Sequence, residues 1–350
     1  MKETFFLFVL TLVLFLSAAA LSYFLTWVLA RVAVRYDLLD YPSLRKNHGK
    51  PIPFLGGAAV FLSFWLVVLG GILAAHGFNM VFPVPKILGI FLGGLVVFLT
   101  GLLDDKFRWS AWQKLAGQAA AALILMNGGL TINLVSGLGA LGYVITFFWI
   151  VLIINAFNFI DSLDGHCAGI ALISTLVFFW ITQIINQPLV GLFLIAFAGA
   201  LTGFLPHNFK PAKIFLGDNG SLFIGYVMAA VTLLCRYQTP GTPYAAVFIP
   251  VLVFGVPIYD TLSVISVRLA RGICPWEGDR NHFAHRLVKI GMGERVAVIF
   301  SYFVAVTVGL VAIVITQVSF FGSVLVGLIF LSILGVIGFL EFYVTRRFHP

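Results

Sequence analysis

The sequence predicts an all-α, polytopic integral membrane protein, a single membrane-embedded domain over residues 1–350, and three observations carry that expectation. Of the 350 residues 61% are hydrophobic and only 10% charged, against about 45–50% apolar and about 25% charged in soluble domains. Polar residues fall in short interruptions between uncharged stretches that approach the ~20 residues a helix needs to cross a bilayer. The 21 Lys and Arg residues also lie with a strong sidedness.

In chain order the interruptions delimit about eleven transmembrane helices, at 5–30, 54–75, 87–103, 115–127, 141–157, 168–185, 189–205, 221–235, 244–267, 296–317 and 320–343. The N-terminus has the layout of a secretory signal, with Lys2, an apolar run from Phe5, and Ser17-Ala18-Ala19-Ala20. The apolar run continues to Ala30 before meeting Arg31 and Arg35, so we read an uncleaved first span. The fourth span is short and rich in Ala and Gly, and the stretch after it reads as a short extracytoplasmic hairpin. No internal repeat accompanies the spans.

Counting bases on alternate sides places 18 on one side and Lys2, Lys86 and Arg236 on the other. The populated side is cytoplasmic by the positive-inside rule, which leaves the N-terminus outside and the C-terminus in the cytoplasm of a protein of the inner (plasma) membrane. The net charge of +8 is thereby a topological signal. Nucleic-acid binding is excluded as a function, since no basic patch with interleaved aromatics is present. Cys167, Cys235 and Cys274 are odd in number, widely spaced and without a CxxC, which supports neither a disulfide framework nor a zinc site. Acidic residues follow the same side: of 13, Glu3 alone lies off it. Topology does not require that, so some chemistry on that face uses carboxylates.

The candidate catalytic loops are 31–53, 104–114, 158–167, 206–220 and 268–295. The first ends in Lys50-Pro-Ile-Pro-Phe-Leu-Gly-Gly, and the second opens on Asp104-Asp105, with Lys114 and Gln118 beyond it. The third, Asn155-Ala-Phe-Asn158-Phe-Ile-Asp161-Ser-Leu-Asp164-Gly165, has two carboxylates and no base; unpartnered ions at a membrane boundary are costly and mark binding sites. The fourth is Pro211-Ala-Lys213-Ile-Phe-Leu-Gly-Asp218-Asn-Gly-Ser221, and the fifth contains His282-Phe-Ala-His285-Arg286. Such residues suit a phosphate reaction assisted by a hard cation, because Mg²⁺ is held by one or two carboxylates plus substrate phosphates. Asp218 sits among glycines at a helix start, where backbone approaches an anion closely. Lys114, Arg286 and the two histidines are suited to neutralise phosphate oxygens as a leaving group departs.

This ordered set, spread over residues ~48 to 286, resembles the polyprenyl-phosphate N-acetylhexosamine-1-phosphate transferases of glycosyltransferase family 4. Within them it is most similar to the bacterial undecaprenyl-phosphate N-acetylglucosamine-1-phosphate transferases that start O-antigen, enterobacterial common antigen and teichoic acid synthesis. The resemblance implies transfer of a sugar-1-phosphate from a UDP-N-acetylhexosamine to undecaprenyl phosphate, with release of UMP, as the first membrane step of cell-envelope polysaccharide synthesis. It implies Mg²⁺ as cofactor, with Mn²⁺ as a substitute, membrane lipid as a partner, and leaves a homodimer open.

Carried over by position, Asp218 and Asn158 match the metal site, and Asp104 or Asp105 the residue that deprotonates the lipid phosphate. Lys114 matches a pyrophosphate-binding lysine, Asp161 and Asp164 the nucleotide-sugar loop, and His282, His285 and Arg286 the loop contacting phosphates and sugar. Lys50, Asn155 and Lys213 complete the substrate-binding set. Ser162 and His166 stand where Gly and Leu are usual, and Ala284 where a third histidine is common, so the sugar stays open. A phospho-N-acetylmuramoyl-pentapeptide donor usually goes with a Pro-Thr-Met-Gly-Gly segment and consecutive histidines, which this chain lacks.

Two rival classes fit less well. Asp161-x-x-Asp164-Gly165-x-x-Ala168 matches the opening of the CDP-alcohol phosphotransferase signature, but Gly169 follows and no acid appears until Asp218. A transporter predicts charge near the bilayer midplane, for which Asp260 is the candidate. The topology makes one expectation testable: a cysteine placed at Gly278 is shielded from impermeant thiol reagents in intact cells, while one at Pro240 is labelled. Equal labelling at both would reverse the orientation.

Overall fold

The computed structural model describes residues 2–42, 49–76, 83–132, 139–237, 244–270, 272 and 282–348. Helices occupy every expected span: α1 (Lys2–Arg35), α2 (Gly56–His76), α3 (Val84–Phe107), α4 (Ala111–Asn127), α5 (Gly139–Ile160), α6 (His166–Ile184), α7 (Pro188–Asn208), α8 (Gly217–Leu234), α9 (Ile249–Val253), α10 (Gly255–Ala270), α11 (Phe283–Lys289), α12 (Glu294–Ile315) and α13 (Phe320–Phe348). Two short strands, β1 (Leu39–Asp40) and β2 (Ile52–Pro53), pair antiparallel with Leu39 opposite Pro53. The expected hairpin after α4, Gly278 and Pro240 fall wholly or largely outside the described residues, as do parts of the 31–53 and 268–295 loops.

The expected count of eleven is not reached among the described residues. By length and composition eight helices can cross a membrane, or nine if the bent pair Ala246–Val253 and Gly255–Ala270 is one span. α4 has 17 residues, and the described apolar part of α13 is Phe321–Ile333. The ninth span, expected as one helix, is bent by 65°. Its cause is local: Pro257 has no N–H for the carbonyl four residues back, and Gly255 at the joint has no side chain to hold the helix straight.

α8 lies at the centre, buried at every residue from Asn219 to Thr232, as a helix apolar on all faces should be. It packs against α3, α5 and α2, while α1 packs on α7 and α6 on α7 and α12. Phe61, Phe64 and Trp65 of α2 interlock with Phe91 and Phe98 of α3, Phe193 and Phe197 of α7 and Phe223 of α8. On the other face of α2, Leu62, Leu66, Leu69 and Leu73 are exposed at helical spacing, a lipid-facing stripe rather than a wetted one.

Small residues set how near the helices come. A Cβ added at Gly101 of α3 would lie 2.3 Å from the Asp218 carbonyl oxygen and 2.4 Å from the Asn219 nitrogen; at Gly57 of α2 it would lie 2.2 Å from Gly220. Those two contacts bring the first turn of α8 against α2 and α3. Gly101→Ala is therefore expected to destabilise the detergent-solubilised protein by about 1–3 kcal/mol. Gly70→Ala, where nothing lies within 4 Å, should be neutral or stabilising by about 0.5–1 kcal/mol. Thermal melts of both variants check the contrast, and a Gly101→Ala protein as stable as Gly70→Ala would contradict this packing.

Candidate functional site

The C-terminal ends of α3, α5 and α7 and the N-terminal ends of α6 and α8 meet at one end of the bundle around a cavity of about 1380 Å³. Asp104, Asp105, Lys114, Asp161, Asp164, Asp218, Lys50, Lys213 and His285 all line it. A chain segment of more than two hundred residues is thus gathered into one polar chamber.

The local sequence explains how. α3 runs past its expected end, so Asp104 and Asp105 belong to its last turn, and Arg108 closes the helix in the left-handed region at φ 52°. Ser110 and Gln113 form a reciprocal capping box that starts α4 at once. The chain reverses, and Lys114, one turn into α4, comes back over α3. Its ammonium lies 3.0 Å from Asp104 Oδ2 and 3.0 Å from Asp218 Oδ2.

Asp105 does something different. Its Oδ1 accepts the Asp218 N–H at 2.9 Å, and its Oδ2 accepts the Asn219 N–H at 3.0 Å and the Asn219 side-chain amide at 2.7 Å. The first N–H groups of a helix have no partner within it, and here a carboxylate from α3 caps α8. Asn219, fully buried, also donates to the Phe54 carbonyl at 2.9 Å. The segment entering α2 is pinned too, by Gly56 N–H to Phe215 O at 3.0 Å and Gly57 N–H to Leu216 O at 2.8 Å.

Asn158 lies in the last turn of α5 and donates from Nδ2 to Asp218 Oδ1 and to Ser221 Oγ, both at 2.9 Å. Asn155 sits about one turn deeper, where its amide exchanges hydrogen bonds with Gln118 at 2.7 and 3.2 Å; it does not line the cavity. Asp161, half-buried in the turn between α5 and α6, has no side-chain hydrogen bond or ion pair among the described residues. Burial, and behind it the charges of Asp218, Asp105 and Asp164, hold its carboxyl well above the usual carboxylate range. Asp164 accepts the Ala212 N–H at 3.0 Å, with Lys210 Nζ at 3.9 Å.

Several residues that sequence reasoning passed over hold this turn in place. Asn208, at the end of α7, accepts the Gly165 N–H and donates to the Ile214 carbonyl, both at 3.0 Å. Tyr302 of α12 donates to the Gly165 carbonyl at 2.5 Å, and Lys210 pairs with Glu294 at the start of α12. Asn219 had a usable signal, lying inside the Gly-Asp-Asn-Gly-Ser motif; Tyr302 and Glu294 are single residues far along the chain and had none.

The His282, His285 and Arg286 group divides. His282 is buried and its Nδ1 lies 2.8 Å from Asp260 Oδ2, while Asp260 Oδ1 accepts the Phe283 N–H. Arg286 donates to Ser263 Oγ at 2.8 Å. His285 is the member that reaches the cavity wall. Asp260, the candidate for a midplane charge, is thus paired and caps α11 from α10.

Comparison with known proteins places this architecture. Residues 87–236 match the model of glycosyl transferase family 4. The chain is 32% identical over 335 residues to a probable undecaprenyl-phosphate N-acetylglucosaminyl 1-phosphate transferase of Bacillus subtilis, covering 93% of this chain and 90% of that protein. The chain belongs to glycosyl transferase family 4. It is also 33% identical to the decaprenyl-phosphate N-acetylglucosaminephosphotransferase of Mycolicibacterium smegmatis, over 82% of this chain and 77% of that one. An undecaprenyl-phosphate alpha-N-acetylglucosaminyl 1-phosphate transferase of Thermotoga maritima is 32% identical over 81% and 84%. The family-matched stretch carries Asp104, Asp105, Lys114, Asn158, Asp161, Asp164 and Asp218, whereas Lys50, His282, His285 and Arg286 lie outside it.

A carboxylate kept among like charges without a partner is retained for what it binds, at a cost in stability. Asp161→Asn is accordingly expected to melt at a higher temperature than the parent in chelator, and to lose at least ~10-fold in activity. A variant that is both active and unchanged in stability would show that Asp161 is a bystander.

Proposed function

We propose that the protein transfers N-acetylglucosamine-1-phosphate from UDP-N-acetylglucosamine to undecaprenyl phosphate, releasing UMP, at the cytoplasmic face of the plasma membrane. The product is the first lipid-linked intermediate of a cell-envelope polysaccharide. The observation that carries this reading is that Asp104, Asp105, Asp161 and Asp218 line one cavity at the end of an apolar bundle, with Lys114 shared between Asp104 and Asp218. The names of the three relatives supply the substrate class.

In this reading a lipid phosphate oxygen attacks the sugar-bearing phosphorus of the donor. A P–O–P bond forms to the lipid, the bond from that phosphorus to the bridging oxygen breaks, and UMP leaves with that oxygen. Asp105 already accepts three N–H groups, so the carboxylate suited to take the lipid phosphate's proton is Asp104, which faces the cavity beside Lys114. Lys114 and His285, which both line the cavity, would offset negative charge on the pyrophosphate. Asp164 and the Gly165 turn, tied to α7 and α12, orient the nucleotide-sugar. The donor set suits a hard divalent cation: its atoms are carboxylate and amide oxygens, and among the described residues Asp161 has no cation in ion-pair contact. Mg²⁺, with Mn²⁺ as a substitute, would be held by Asp218 and Asn158 and would neutralise pyrophosphate charge.

The direct test is purified protein in detergent with undecaprenyl phosphate, Mg²⁺ and a panel of UDP-N-acetylhexosamines, reading UMP release. UDP-N-acetylglucosamine should be the best donor, and Asp218→Asn should lose at least ~10²-fold. Release with another UDP-N-acetylhexosamine alone would keep the reaction and change the sugar; no release with any would remove the reading.

The base assignment has its own pH signature. A phosphate monoester has a second pKa near about 6, so about half of the lipid phosphate still carries its proton at pH 6 and very little does at pH 8.5. Asp104→Asn should therefore cost more at pH 6 than at pH 8.5, while Asp105→Asn should cost about the same at both. Rate profiles for Asp104→Asn that run parallel to wild type would remove the base role from Asp104.

A further inference from the structure

A second cavity, of about 420 Å³, lies at the end of the bundle away from the site. Leu14 of α1, Ile72 of α2, Ile90 of α3 and Phe193 of α7 are among its walls, which are overwhelmingly apolar. Its volume falls in the range of about 300–1,000 Å³ typical of ligand pockets. Two cations stand at it: Lys86 in the first turn of α3, and Arg236 just past the end of α8. The backbone of Arg236 is fixed from both sides by Gln187, whose Oε1 accepts its N–H at 3.0 Å and whose Nε2 donates to its carbonyl at 2.8 Å.

The placement is selective. The sequence puts only Lys2, Lys86 and Arg236 on this side of the membrane, and two of those three border one cavity. Glu3 is the acid on that side, and neither Lys86 nor Arg236 has an ion pair among the described residues. Cations at the mouth of an apolar recess are costly without an anion, and basic pockets between transmembrane helices bind anionic head groups.

We propose that this cavity is a binding site for an anionic phospholipid, with one acyl chain inside the apolar recess and the phosphate between Lys86 and Arg236. A zwitterionic lipid would satisfy the walls but brings its own cation to the phosphate, and free phosphate would satisfy the cations and not the walls. The polyprenyl phosphate has the same two-part chemistry, but on the proposed reaction its phosphate works at the other end of α8. That helix has 18 residues, about 27 Å at 1.5 Å per residue.

The test is native mass spectrometry of the full-length, delipidated protein offered phosphatidylglycerol and phosphatidylcholine with the same acyl chains, with undecaprenyl phosphate as a separate competitor. Phosphatidylglycerol should be retained in preference, and Lys86→Gln/Arg236→Gln should lose one such adduct, binding it at least about tenfold more weakly. Gly71→Phe keeps both cations but fills the recess beside Leu14, and it should lose the same adduct. Melting temperature and UMP release report folding; if the double variant does not fold, the two single variants are compared. Equal retention of the two phospholipids overturns the proposal. So does wild-type retention of phosphatidylglycerol by the charge or cavity variants, or its displacement from this site by undecaprenyl phosphate.

Discussion

The hydrogen bonds from the first turn of α8 to Asp105 are the constraint on which the rest of the site depends. α8 is buried among other helices, so its leading N–H groups cannot be left to water, and an unpaired backbone donor in such surroundings costs several kcal/mol. A carboxylate reaching across from α3 satisfies two of them and the Asn219 amide as well. That single group fixes the height of Asp218 relative to Asp104, which in turn lets Lys114 touch both. It also explains why Gly101 has no side chain, since the capped turn lies where its Cβ would be. The same device recurs at α11, where Asp260 of α10 receives the Phe283 N–H and the His282 ring. Two acids, each from a neighbouring helix, thus set the two walls of the chamber and are not themselves free to react.

Charge in the chamber is arranged to be incomplete. Lys114 is shared between Asp104 and Asp218, and Asp105 is answered by N–H groups, but Asp161 has neither among the described residues. A fully compensated cluster would be more stable and would have less reason to accept a cationic ligand and its phosphates. The partners that do exist are hydrogen-bonded from rigid elements: α3, α4, α5 and α8 meet through Asn158, Ser221 and Lys114. The turn bearing Asp164 is held from outside by Asn208 and Tyr302. Positioning therefore comes from residues that need not touch a substrate.

Much of this was legible in the sequence, and the reasons for the exceptions are physical. Long uncharged stretches locate helices because a bilayer offers backbone no other partner, and all the expected spans coincide with helical segments. Ends were misjudged where polar residues continue a helix: Asp104 and Asp105 read as loop, yet their carboxylates are satisfied by Lys114 and by α8, so α3 goes on to Phe107. The break in the ninth span was signalled by Pro257 and by Gly255, two residues before it, and an apolar count alone could not weigh them. Which helix packs on which cannot be read from uniformly apolar stretches. Pairs such as His282 with Asp260, Tyr302 with Gly165 and Glu294 with Lys210 exist only once the helices have been brought together.

The same geometry bears on the choice of sugar, because the three departures from the family pattern are not equivalent in space. Ala284 is fully buried inside α11 and offers no group to a ligand. His166 is buried as well, its Nδ1 3.0 Å from the Ile160 carbonyl, so it acts on the cavity only through the backbone that precedes Asp161. Ser162 is the departure that lines the chamber, between Asp161 and Asp164, and its hydroxyl has no hydrogen-bond partner among the described residues. A buried hydroxyl without a partner costs about 1–3 kcal/mol, a penalty that a donor or acceptor on the sugar can remove. Of the three departures, Ser162 is therefore the one that a sugar in the chamber could meet on the proposed reaction.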